Sequence, residues 1–275
     1  MSGHHQDMVA AVGKLLQDFS KNVAVAVSGG IDSLTLATIA GRCPLGCDMF
    51  HAVSPAVPPE ATARVRDFAA REGWRLHLID AGEFARAEYI ANPVNRCFYC
   101  KQSLYGAITA IAANTSAQIV SGTNLDDLQE YRPGLDAARD HGVRHPFAEL
   151  GVAKADIRSM ARVLGLHEIA DLPSSPCLSS RVETGICITP AVLRLIHAAE
   201  SAVRACISAN SVRCRVRERG IVLEIDALSL SQLTAEQKCD IAQTVGSIFA
   251  SAGEAPTISL APYRVGSAFL VNQIA

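Results

Sequence analysis

The chain lacks a long apolar run, a strong net charge and any internal repeat. Its 25 basic and 27 acidic residues leave a formal net charge of −2, so no overall positive charge favours binding to nucleic acid. No apolar run approaches the roughly 18 residues that a membrane-spanning helix needs. These absences point away from a nucleic-acid partner and from a membrane.

The N-terminal segment also lacks the features of a secretory signal. It is polar, with His4, His5 and Asp7, and has neither a basic start nor an apolar segment behind it. The nine cysteines are an odd number in a chain of 275 residues, which fits reduced thiols better than a secreted disulfide framework. We therefore expect a cytoplasmic protein in which some cysteines bind a metal or take part in catalysis.

The first half of the sequence alternates between strand and helix patterns. Predicted strands cover 23–27, 48–53, 75–79 and 118–120, and predicted helices cover 34–40, 61–72, 101–113 and 153–164. This βαβ rhythm predicts an α/β fold in which a parallel sheet carries helices on both faces. Ligands of such sheets bind at the carboxyl ends of the strands.

A segment rich in proline and serine, 171–176, predicts the end of this first domain. Beyond it the sequence predicts a smaller α+β domain with helices over 190–206 and 235–250, a hairpin of strands 212–217 and 221–226 turned at Arg219-Gly220, and a last strand over 257–260. We thus expect a nucleotide-binding domain (1–170), a linker that carries Cys177 (171–188) and a domain for substrate binding or oligomerisation (189–275).

A glycine turn follows the first predicted strand. The run Ser28-Gly29-Gly30-Ile31-Asp32-Ser33 leads into a helix, which directs several backbone N–H groups toward one point where a phosphate could bind. The glycines permit close approach, the two serines add hydroxyl donors, and Asp32 can hold Mg²⁺ or cap the helix. No lysine follows the glycines, so the loop differs from one that holds a transferable γ-phosphate.

The S-G-G-x-D-S pattern of this turn resembles the PP-loop of ATP pyrophosphatases. Those enzymes hold the β,γ-pyrophosphate of ATP as a leaving group and adenylate a substrate. The resemblance implies a PP-loop fold, similar to that of the adenine nucleotide alpha hydrolases, with ATP and Mg²⁺ as ligands. The alternative is a strand–turn–helix connection in which the glycines serve only the turn.

A second polar loop follows the predicted strand at 118–120. In Ser121-Gly122-Thr123-Asn124-Leu125-Asp126-Asp127, Gly122 permits close approach, Asn124 offers neutral hydrogen bonds, and Asp127 could hold a metal or orient a polar group. The S-G-T-N-x-D-D string resembles the second ATP-site motif of PP-loop enzymes. The alternative is an Asx-rich turn with solvated carboxylates.

Three further residues are candidates for the ATP site. Lys154 and Arg158 are four positions apart, so they share a helical face that could carry two cations to the triphosphate; the alternative is a basic surface edge. Ser54 follows a predicted strand and could contact the edge of the adenine ring.

Three cysteines suggest the chemistry. Cys97 and Cys100 form a C-x-x-C pair, and no second such pair completes a four-cysteine zinc site, so we expect a single distant partner, with Cys177 as the candidate. Three thiols on a [4Fe–4S] cluster leave one iron without a protein ligand, which can bind hydrosulfide. The alternatives are a redox-active dithiol, a persulfide or sacrificial cysteine, and inert thiols.

The chain resembles the LarE-type sulfur transferases of nickel-pincer nucleotide cofactor synthesis along nearly its whole length. The motifs that carry this resemblance are the two glycine loops together with Asn95–Lys101, Tyr131–Gly134, Pro176–Arg181, Arg213–Arg217 and Pro262–Ser267. The family adenylates the carboxylates of pyridinium-3,5-biscarboxylic acid mononucleotide and converts them to thiocarboxylates. The resemblance therefore implies an ATP-dependent sulfur transferase with a nucleotide substrate and a sulfide donor.

The resemblance also implies a subtype and further site residues. Some members sacrifice the sulfur of the cysteine that matches Cys177, whereas members with all three cysteines use a [4Fe–4S] cluster, and this chain has all three. Arg181, Arg213 and Arg215 could hold the phosphate and carboxylates of the substrate bidentately. Glu200 matches an active-site acid of the family. The family tends to form trimers or hexamers, so we expect a homo-oligomer.

Each of these assignments has an alternative. The alternating arginines at 213, 215 and 217 could form a solvated sheet face, and Glu200 could lie at the surface. The rival functions are a tRNA thiolase, an amide-forming PP-loop synthetase and a non-catalytic nucleotide-binding regulator. The slightly acidic chain disfavours the first, and a synthetase would leave the three cysteines unexplained.

Overall fold

A computed structural model describes residues 2–19, 21–129, 132–253 and 255–270. Tyr131, one residue of the motifs that carry the family resemblance, lies outside the described residues. The chain divides into two compact units. The first unit comprises residues 1–86 and 97–175, and the second comprises 87–96 and 176–275.

The first unit is an α/β layer structure with a parallel sheet, which confirms the α/β part of the predicted fold class. Its strands are β1 (Asn22–Ala26), β2 (Gly46–Ala52), β3 (Arg75–Ile79) and β4 (Gln118–Ser121). Its helices are α1 (Ser2–Phe19), α2 (Ile31–Arg42), α3 (Pro59–Glu72), α5 (Arg96–Ala112), α6 (Gly134–Asp140), α7 (Pro146–Glu149), α8 (Lys154–Val163) and α9 (His167–Ala170). Helix α4 (Ala87–Ile90) belongs to the second unit, as does Arg96, the first residue of α5.

The four strands form one parallel sheet in the order β3-β2-β1-β4. Strand β1 is central, with Val25 paired to Met49 of β2 on one side and to Val120 of β4 on the other. The carboxyl ends of β1 and β4 are therefore neighbours at one edge of the sheet. The two glycine-containing polar loops predicted from the sequence, 28–33 and 121–127, therefore lie side by side.

Hydrophobic residues of β1 point alternately into two cores, one on each face of the sheet. Val23 and Val25 pack in one core with residues of α1, α2 and α8, among them Leu34, whereas Ala24 and Ala26 pack in the other core with residues of α5 such as Ile108. Full burial of a side chain such as Leu34 or Ile108 stabilises the fold by about 1.5–3 kcal/mol. Helices on both faces were predicted and are confirmed.

Two long helices, α1 and α5, differ from the sequence prediction, and the short helices α4, α6, α7 and α9 were not predicted. Helix α1 was not predicted, although Val12 and Leu16 lie four positions apart and are completely buried. Helix α5 begins at Arg96, five residues before the predicted start at Lys101, so the C-x-x-C pair lies inside a helix and not before it. The low amphipathic contrast of the segment around Cys97 gave the pattern too little signal to place the helix start.

The second unit has its own small sheet, as predicted. Its elements after α4 are α10 (Pro190–Cys206), β5 (Val212–Arg217), β6 (Gly220–Ile225), α11 (Ala227–Gln232), α12 (Ala235–Ala250) and β7 (Ile258–Pro262), in the strand order β5-β6-β7. Strands β5 and β6 are antiparallel, and β6 and β7 are parallel. The hairpin loop consists of Glu218 and Arg219, one residue earlier than predicted, since Gly220 pairs with Arg217.

Among the helices that the structure describes, none combines the length and the apolar character of a membrane span.

Candidate functional site

The first glycine loop connects β1 to α2 at the carboxyl edge of the sheet. Gly29 has a φ of +84°, and a Cβ there would lie 2.7 Å from the carbonyl oxygen of Ala61, so only glycine fits without displacing α3. The carbonyl oxygen of Gly29 accepts a hydrogen bond from Arg64 at 2.6 Å. The loop is thus held against the start of α3.

The hydroxyl groups of the loop organise its backbone. Ser33 Oγ accepts from the backbone N–H of Ser28 at 3.0 Å and donates to the carbonyl of Gly30 at 3.0 Å, and Ser28 Oγ lies 3.1 Å from Ser33 Oγ. Gly30 is the N-cap of α2 and supplies no side-chain cap. The N-terminus of this twelve-residue helix can therefore receive an anion.

The second loop is pressed against the first. A Cβ on Gly122 would lie 2.9 Å from the carbonyl carbon of Asp32 and 2.9 Å from the nitrogen of Ser33, so the two backbones meet with no room for a side chain. Asn124 is buried, and its Oδ1 accepts from the N–H groups of Asp126 and Asp127 at 3.0 and 3.2 Å. The Asx-type turn foreseen as an alternative is therefore present, and it presents Asp127 next to the first loop.

Charged groups gather where the loops meet. Lys154 Nζ lies 2.6 and 2.5 Å from the two carboxylate oxygens of Asp32, and the backbone N–H of Lys154 donates to Asp126 Oδ2 at 2.8 Å. Asp127 pairs with Arg132 at 2.7 Å. Burial raises the pKa of Asp32; Lys154 opposes this rise, and the carboxylate of Asp127 adds to it.

Two predicted ATP-site residues have other contacts. The guanidinium group of Arg158 donates to the carbonyl oxygens of Ala170 and Leu172 at 2.5 and 3.1 Å, so it holds the end of α9. Ser54 lies beyond the end of β2, and its Oγ accepts from the N–H of Ala56 at 3.2 Å. Their roles toward a nucleotide stay predictions.

The structure adds a residue that the sequence did not suggest. His145 lies beside the end of β4, where its Nδ1 is 2.9 Å from Ser121 Oγ, and Ser121 Oγ is 3.2 Å from Thr123 Oγ1. Burial lowers the pKa of His145, which favours the neutral ring at neutral pH. No spacing pattern links residues 121 and 145, so only the bridge between Val120 and Arg144 reveals the pairing.

The C-x-x-C pair lies in the first turns of α5. Cys97 and Cys100 are three residues apart in a helix and therefore share one face, and both thiols are partly buried. They belong to the first unit, and Cys177, also partly buried, belongs to the second. Throughout the part of the chain that the structure describes, no group of three or more His, Cys, Asp or Glu side chains is arranged to hold a metal ion.

Three cysteines other than Cys97, Cys100 and Cys177 have raised pKa values, which makes them poor nucleophiles. Burial raises the pKa of Cys47 to about 12, and burial likewise raises the pKa of Cys43 and of Cys214. The raised pKa values favour structural roles for these three cysteines over reactive ones.

Glu200 is the centre of a buried ion-pair network in the second unit. Arg181 binds it with two nitrogens at 2.9 and 3.2 Å, Arg204 donates at 2.7 Å, and the backbone N–H of Cys214 donates at 3.0 Å. Burial alone would raise the pKa of Glu200, but Arg181 and Arg204 lower it overall. The alternative of a surface glutamate is wrong, since only 1% of Glu200 is exposed.

The arginines of β5 line a buried face as well. Arg215 donates to Glu224 at 2.9 Å, and Arg213 lies with its Cζ 5.7 Å from the ring centre of Tyr263. Burial lowers the pKa of Arg213, and the nearby Arg181 lowers it further. The alternative of a solvated sheet face is wrong for Arg213 and Arg215, both of which are buried.

Buried cations outnumber buried anions in the second unit. Among its described residues, four arginines and two glutamates are buried: Arg96, Arg181, Arg213, Arg215, Glu200 and Glu224. An excess of buried positive charge is costly unless an anion compensates for it. The arrangement is therefore suited to an anionic ligand.

Comparisons with known proteins agree with the sequence motifs. No protein-family model matches the chain. The chain is 35% identical to an uncharacterised protein of Synechocystis sp. over 215 residues, which cover 77% of this chain and 79% of the relative. It is 28% identical to an uncharacterised protein of Methanocaldococcus jannaschii over 220 residues, which cover 80% and 83%.

A third relative has an assigned activity. The chain is 31% identical over 193 residues, or 69% of either chain, to the pyridinium-3,5-bisthiocarboxylic acid mononucleotide synthase of Lactiplantibacillus plantarum. The shared region is long enough, and the identity high enough, to establish common membership. The chain belongs to the family of this synthase, the LarE family.

Proposed function

We propose that the protein is an ATP-dependent sulfur transferase that converts a carboxylate of pyridinium-3,5-biscarboxylic acid mononucleotide to a thiocarboxylate. The name of the relative from Lactiplantibacillus plantarum describes the bisthiocarboxylic product of such a reaction. The main support for the proposal is the close approach of Gly122 to the backbone of Asp32 and Ser33. It places the two polar loops and the N-terminus of α2 together at one edge of the sheet, where a triphosphate could bind.

The first step uses the loop edge of the first unit. Backbone N–H groups of Gly29, Gly30 and the first turn of α2 would hold the β,γ-pyrophosphate of ATP, with the hydroxyl groups of Ser28 and Ser33 as further donors. Asp32 and Asp127 would supply oxygen ligands of the kind that Mg²⁺ prefers. A substrate carboxylate oxygen attacks the α-phosphorus, the bond to the bridging oxygen breaks, and pyrophosphate leaves.

The second step exchanges oxygen for sulfur. A sulfur nucleophile attacks the carbonyl carbon of the adenylate, the bond from that carbon to the AMP oxygen breaks, and AMP leaves with the electron pair. Adenylation matters because a free carboxylate is a poor electrophile. The thioacid proton passes to water, so the product is a thiocarboxylate.

The buried arginines of the second unit support an anionic substrate. The pyridinium nucleotide carries a phosphate and two carboxylates, and such groups would neutralise the excess of buried cations in the second unit. An anion near Arg213 would also relieve its repulsion from Arg181, which contributes to the lowered pKa of Arg213. Arg181 and Arg215 add to the positive field that favours substrate binding.

The sulfur source in this proposal involves Cys97, Cys100 and Cys177. Their chemistry suits a [4Fe–4S] cluster, because thiolates are the usual ligands of iron–sulfur centres and the first two share one helix face. A cluster held by these three thiols would supply one iron coordination site for exogenous sulfide. The alternative is that Cys177 donates its own sulfur and becomes dehydroalanine.

Turnover with defined components tests the function. Anaerobically purified protein is mixed with the pyridinium biscarboxylate nucleotide, ATP, Mg²⁺ and sulfide, and AMP, pyrophosphate and the thiocarboxylate are measured. All three should form in equal amounts. Asp32→Asn should abolish them, whereas Asp136→Asn, which changes an exposed carboxylate paired with Arg139, should not. Thiolation of tRNA in place of the nucleotide would overturn the proposal.

Iron analysis tests the sulfur source separately. The cluster form should contain about four irons per chain. Cys97→Ala, Cys100→Ala and Cys177→Ala should each lose iron, and Cys187→Ala, at an exposed cysteine, should retain it. Iron-free protein that reacts once per chain and loses the mass of hydrogen sulfide would establish the sacrificial route instead.

A further inference from the structure

Three buried arginines converge on the backbone of the turn that carries Cys177. We call residues 176–181 the Cys177 turn; its last four residues form a 3₁₀ helix. Arg181 donates to the carbonyl oxygens of Pro176 and Cys177 at 2.5 and 3.1 Å. Arg215 donates to the carbonyl oxygen of Ser180 at 3.0 Å, and Arg96 donates to that of Ser179 at 3.1 Å. Guanidinium groups therefore bind four carbonyl oxygens of this turn.

Arg96 reaches the turn from a distant part of the sequence. Its Nη1 also donates to Asn92 Oδ1 at 2.5 Å. Asn92 Nδ2 in turn donates to the carbonyl oxygens of residues 182, 183 and 186, at 3.3, 2.8 and 3.1 Å. Tyr89 adds a hydrogen bond of 2.7 Å between its hydroxyl group and Ser179 Oγ. The segment 89–96 thus fastens the Cys177 turn and the chain that follows it.

The other two arginines connect the turn to the scaffold of the second unit. One edge of Arg181 binds Glu200 of α10, and its Nη1 binds the turn. Arg215 also binds in two directions: its Nε donates to the carboxylate of Glu224 in β6, and its Nη1 donates to the carbonyl oxygen of Ser180. A planar guanidinium can bind in two directions at once, whereas an ammonium group has a single nitrogen.

The described partners of Arg96 are neutral. They are a side-chain amide oxygen and a carbonyl oxygen, and Phe269 lies with its ring centre 5.3 Å from Arg96 Cζ. Arg96 is buried, and none of these contacts is with a carboxylate. An ion pair therefore does not account for its buried charge. We therefore assign Arg96 a role in holding the Cys177 turn, through its hydrogen bond to the carbonyl oxygen of Ser179.

We propose that Arg96, Arg181 and Arg215 are positioning residues that hold the Cys177 turn in the conformation needed for sulfur transfer, and that they are not direct ligands of the substrate. This inference rests on the proposed function for its chemical consequence. Its structural part, the ordering of the turn, is independent of that function. A sulfur atom that must reach an acyl carbon in a defined direction reacts faster when its backbone is ordered beforehand.

The first test measures the order of the turn in protein without substrate, ATP or iron. Arg96→Met, Arg181→Lys and Arg215→Lys are compared with Arg217→Lys. Arg217 lies on the same face of β5, but it donates to Glu183 and to the carbonyl oxygen of Ser267, not to the turn. The readouts are hydrogen exchange of the peptide that contains residues 176–181 and the rate of alkylation of Cys177 by iodoacetamide.

Loss of these charge-assisted hydrogen bonds should increase both rates about tenfold or more. Arg217→Lys should leave them within about twofold of the wild type. Unchanged rates in the three variants would overturn the proposal. If Arg181→Lys or Arg215→Lys fails to fold, Arg96→Met and Tyr89→Phe carry the test, since each removes a contact with Ser179 without exposing a buried carboxylate.

The second test separates positioning from substrate binding. In steady-state assays, a positioning role predicts a lower kcat with little change in the KM for the nucleotide substrate. A raised KM with unchanged kcat, together with unchanged hydrogen exchange, would make these arginines substrate ligands and overturn the proposal. If the wild type forms no thiocarboxylate, the proposed function fails, and the hydrogen-exchange result still decides whether the arginines order the turn.

Discussion

Lys154 Nζ contacts both carboxylate oxygens of Asp32, at 2.6 and 2.5 Å, across 122 positions of the sequence. Asp32 is the acidic residue of the first glycine loop and a proposed ligand of Mg²⁺. Burial raises the pKa of this carboxylate, and the ammonium group of Lys154 opposes that rise. We infer that Mg²⁺ and ATP must displace Lys154 from Asp32, after which the ammonium group can bind a phosphate oxygen.

Lys154→Met should weaken the binding of Mg²⁺-ATP about tenfold or more, because a charge-assisted contact with the phosphates is lost. Titration calorimetry with a non-hydrolysable ATP analogue measures the change. Lys14→Met, at an exposed position of α1, is the control and should bind like the wild type. Equal affinities of the two variants would show that Lys154 does not reach the nucleotide.

Asp32→Asn should preserve or raise the free energy of unfolding at neutral pH while it abolishes adenylation. The pKa of Asp32 is raised in the folded protein, so the folded state binds its proton more tightly than the unfolded state does. The stability that Asp32 contributes is therefore complete below its ordinary pKa of 3.8 and is lost as pH rises through the raised value.

Urea unfolding of wild type and Asp32→Asn over a pH series measures this effect. The wild type should lose stability relative to the variant as pH increases from acid to neutral. The opposite slope would mean that Lys154 outweighs burial and lowers the pKa of Asp32.

Glu200→Gln should destabilise the second unit by about 3–5 kcal/mol at neutral pH, because Arg181 would remain buried without its carboxylate. The pKa of Glu200 is lowered in the folded protein, so its contribution is present above its ordinary pKa of 4.5 and is lost as pH falls through the lower folded value.

Denaturant titrations at neutral and acidic pH check this prediction. The difference between wild type and Glu200→Gln should shrink in acid. A difference that is independent of pH would show that the ion pair with Arg181 is not its cause.

Gly122→Ala should destabilise the first unit by roughly 1–3 kcal/mol and abolish nucleotide binding, because the new Cβ would lie 2.9 Å from backbone atoms of Asp32 and Ser33. Gly106→Ala is the matched control. Its Cβ would lie 3.8 Å from His141, an ordinary contact, and alanine favours the helix. Thermal unfolding and nucleotide binding of both variants decide the matter, and normal ATP binding by Gly122→Ala would contradict the proposed site.

Arg213→Met should leave thermal stability unchanged or higher and should raise the KM for the nucleotide substrate about tenfold or more. Burial and the neighbouring Arg181 lower the pKa of Arg213, so its charge is less favourable in the folded protein than in the unfolded chain. The substrate should therefore raise the Tm of the wild type more than that of the variant. A normal KM would remove Arg213 from the substrate site.

The parts of the fold that depend on local pattern could be predicted from the sequence. The parallel sheet followed from alternating strand and helix signals, and the hairpin of β5 and β6 followed from two alternating strands around a glycine. The first glycine loop was located by its S-G-G-x-D-S motif between a strand and a helix pattern, and the contact of Gly29 with Ala61 now shows why a glycine is needed there.

Features that depend on partners far apart in the sequence could not be predicted in this way. Arg181 and Arg215 were interpreted as residues for substrate phosphates and carboxylates, whereas their observed contacts are with Glu200, Glu224 and the Cys177 turn. Their function toward the substrate stays a prediction. Residues 87–96 belong to the second unit, where Arg96 donates to the carbonyl oxygen of Ser179, 83 positions away in the sequence.

The positions of the two glycine loops could be predicted from the amino-acid sequence alone, because glycines that follow an apolar strand pattern leave a signal in a short stretch of chain, and a positive φ such as that of Gly29 is a local requirement. The pairing of buried charges was decided only by the tertiary structure. A guanidinium group has the same chemistry at every position of the sequence, and its role depends on which carboxylate or carbonyl oxygen the folded chain places beside it.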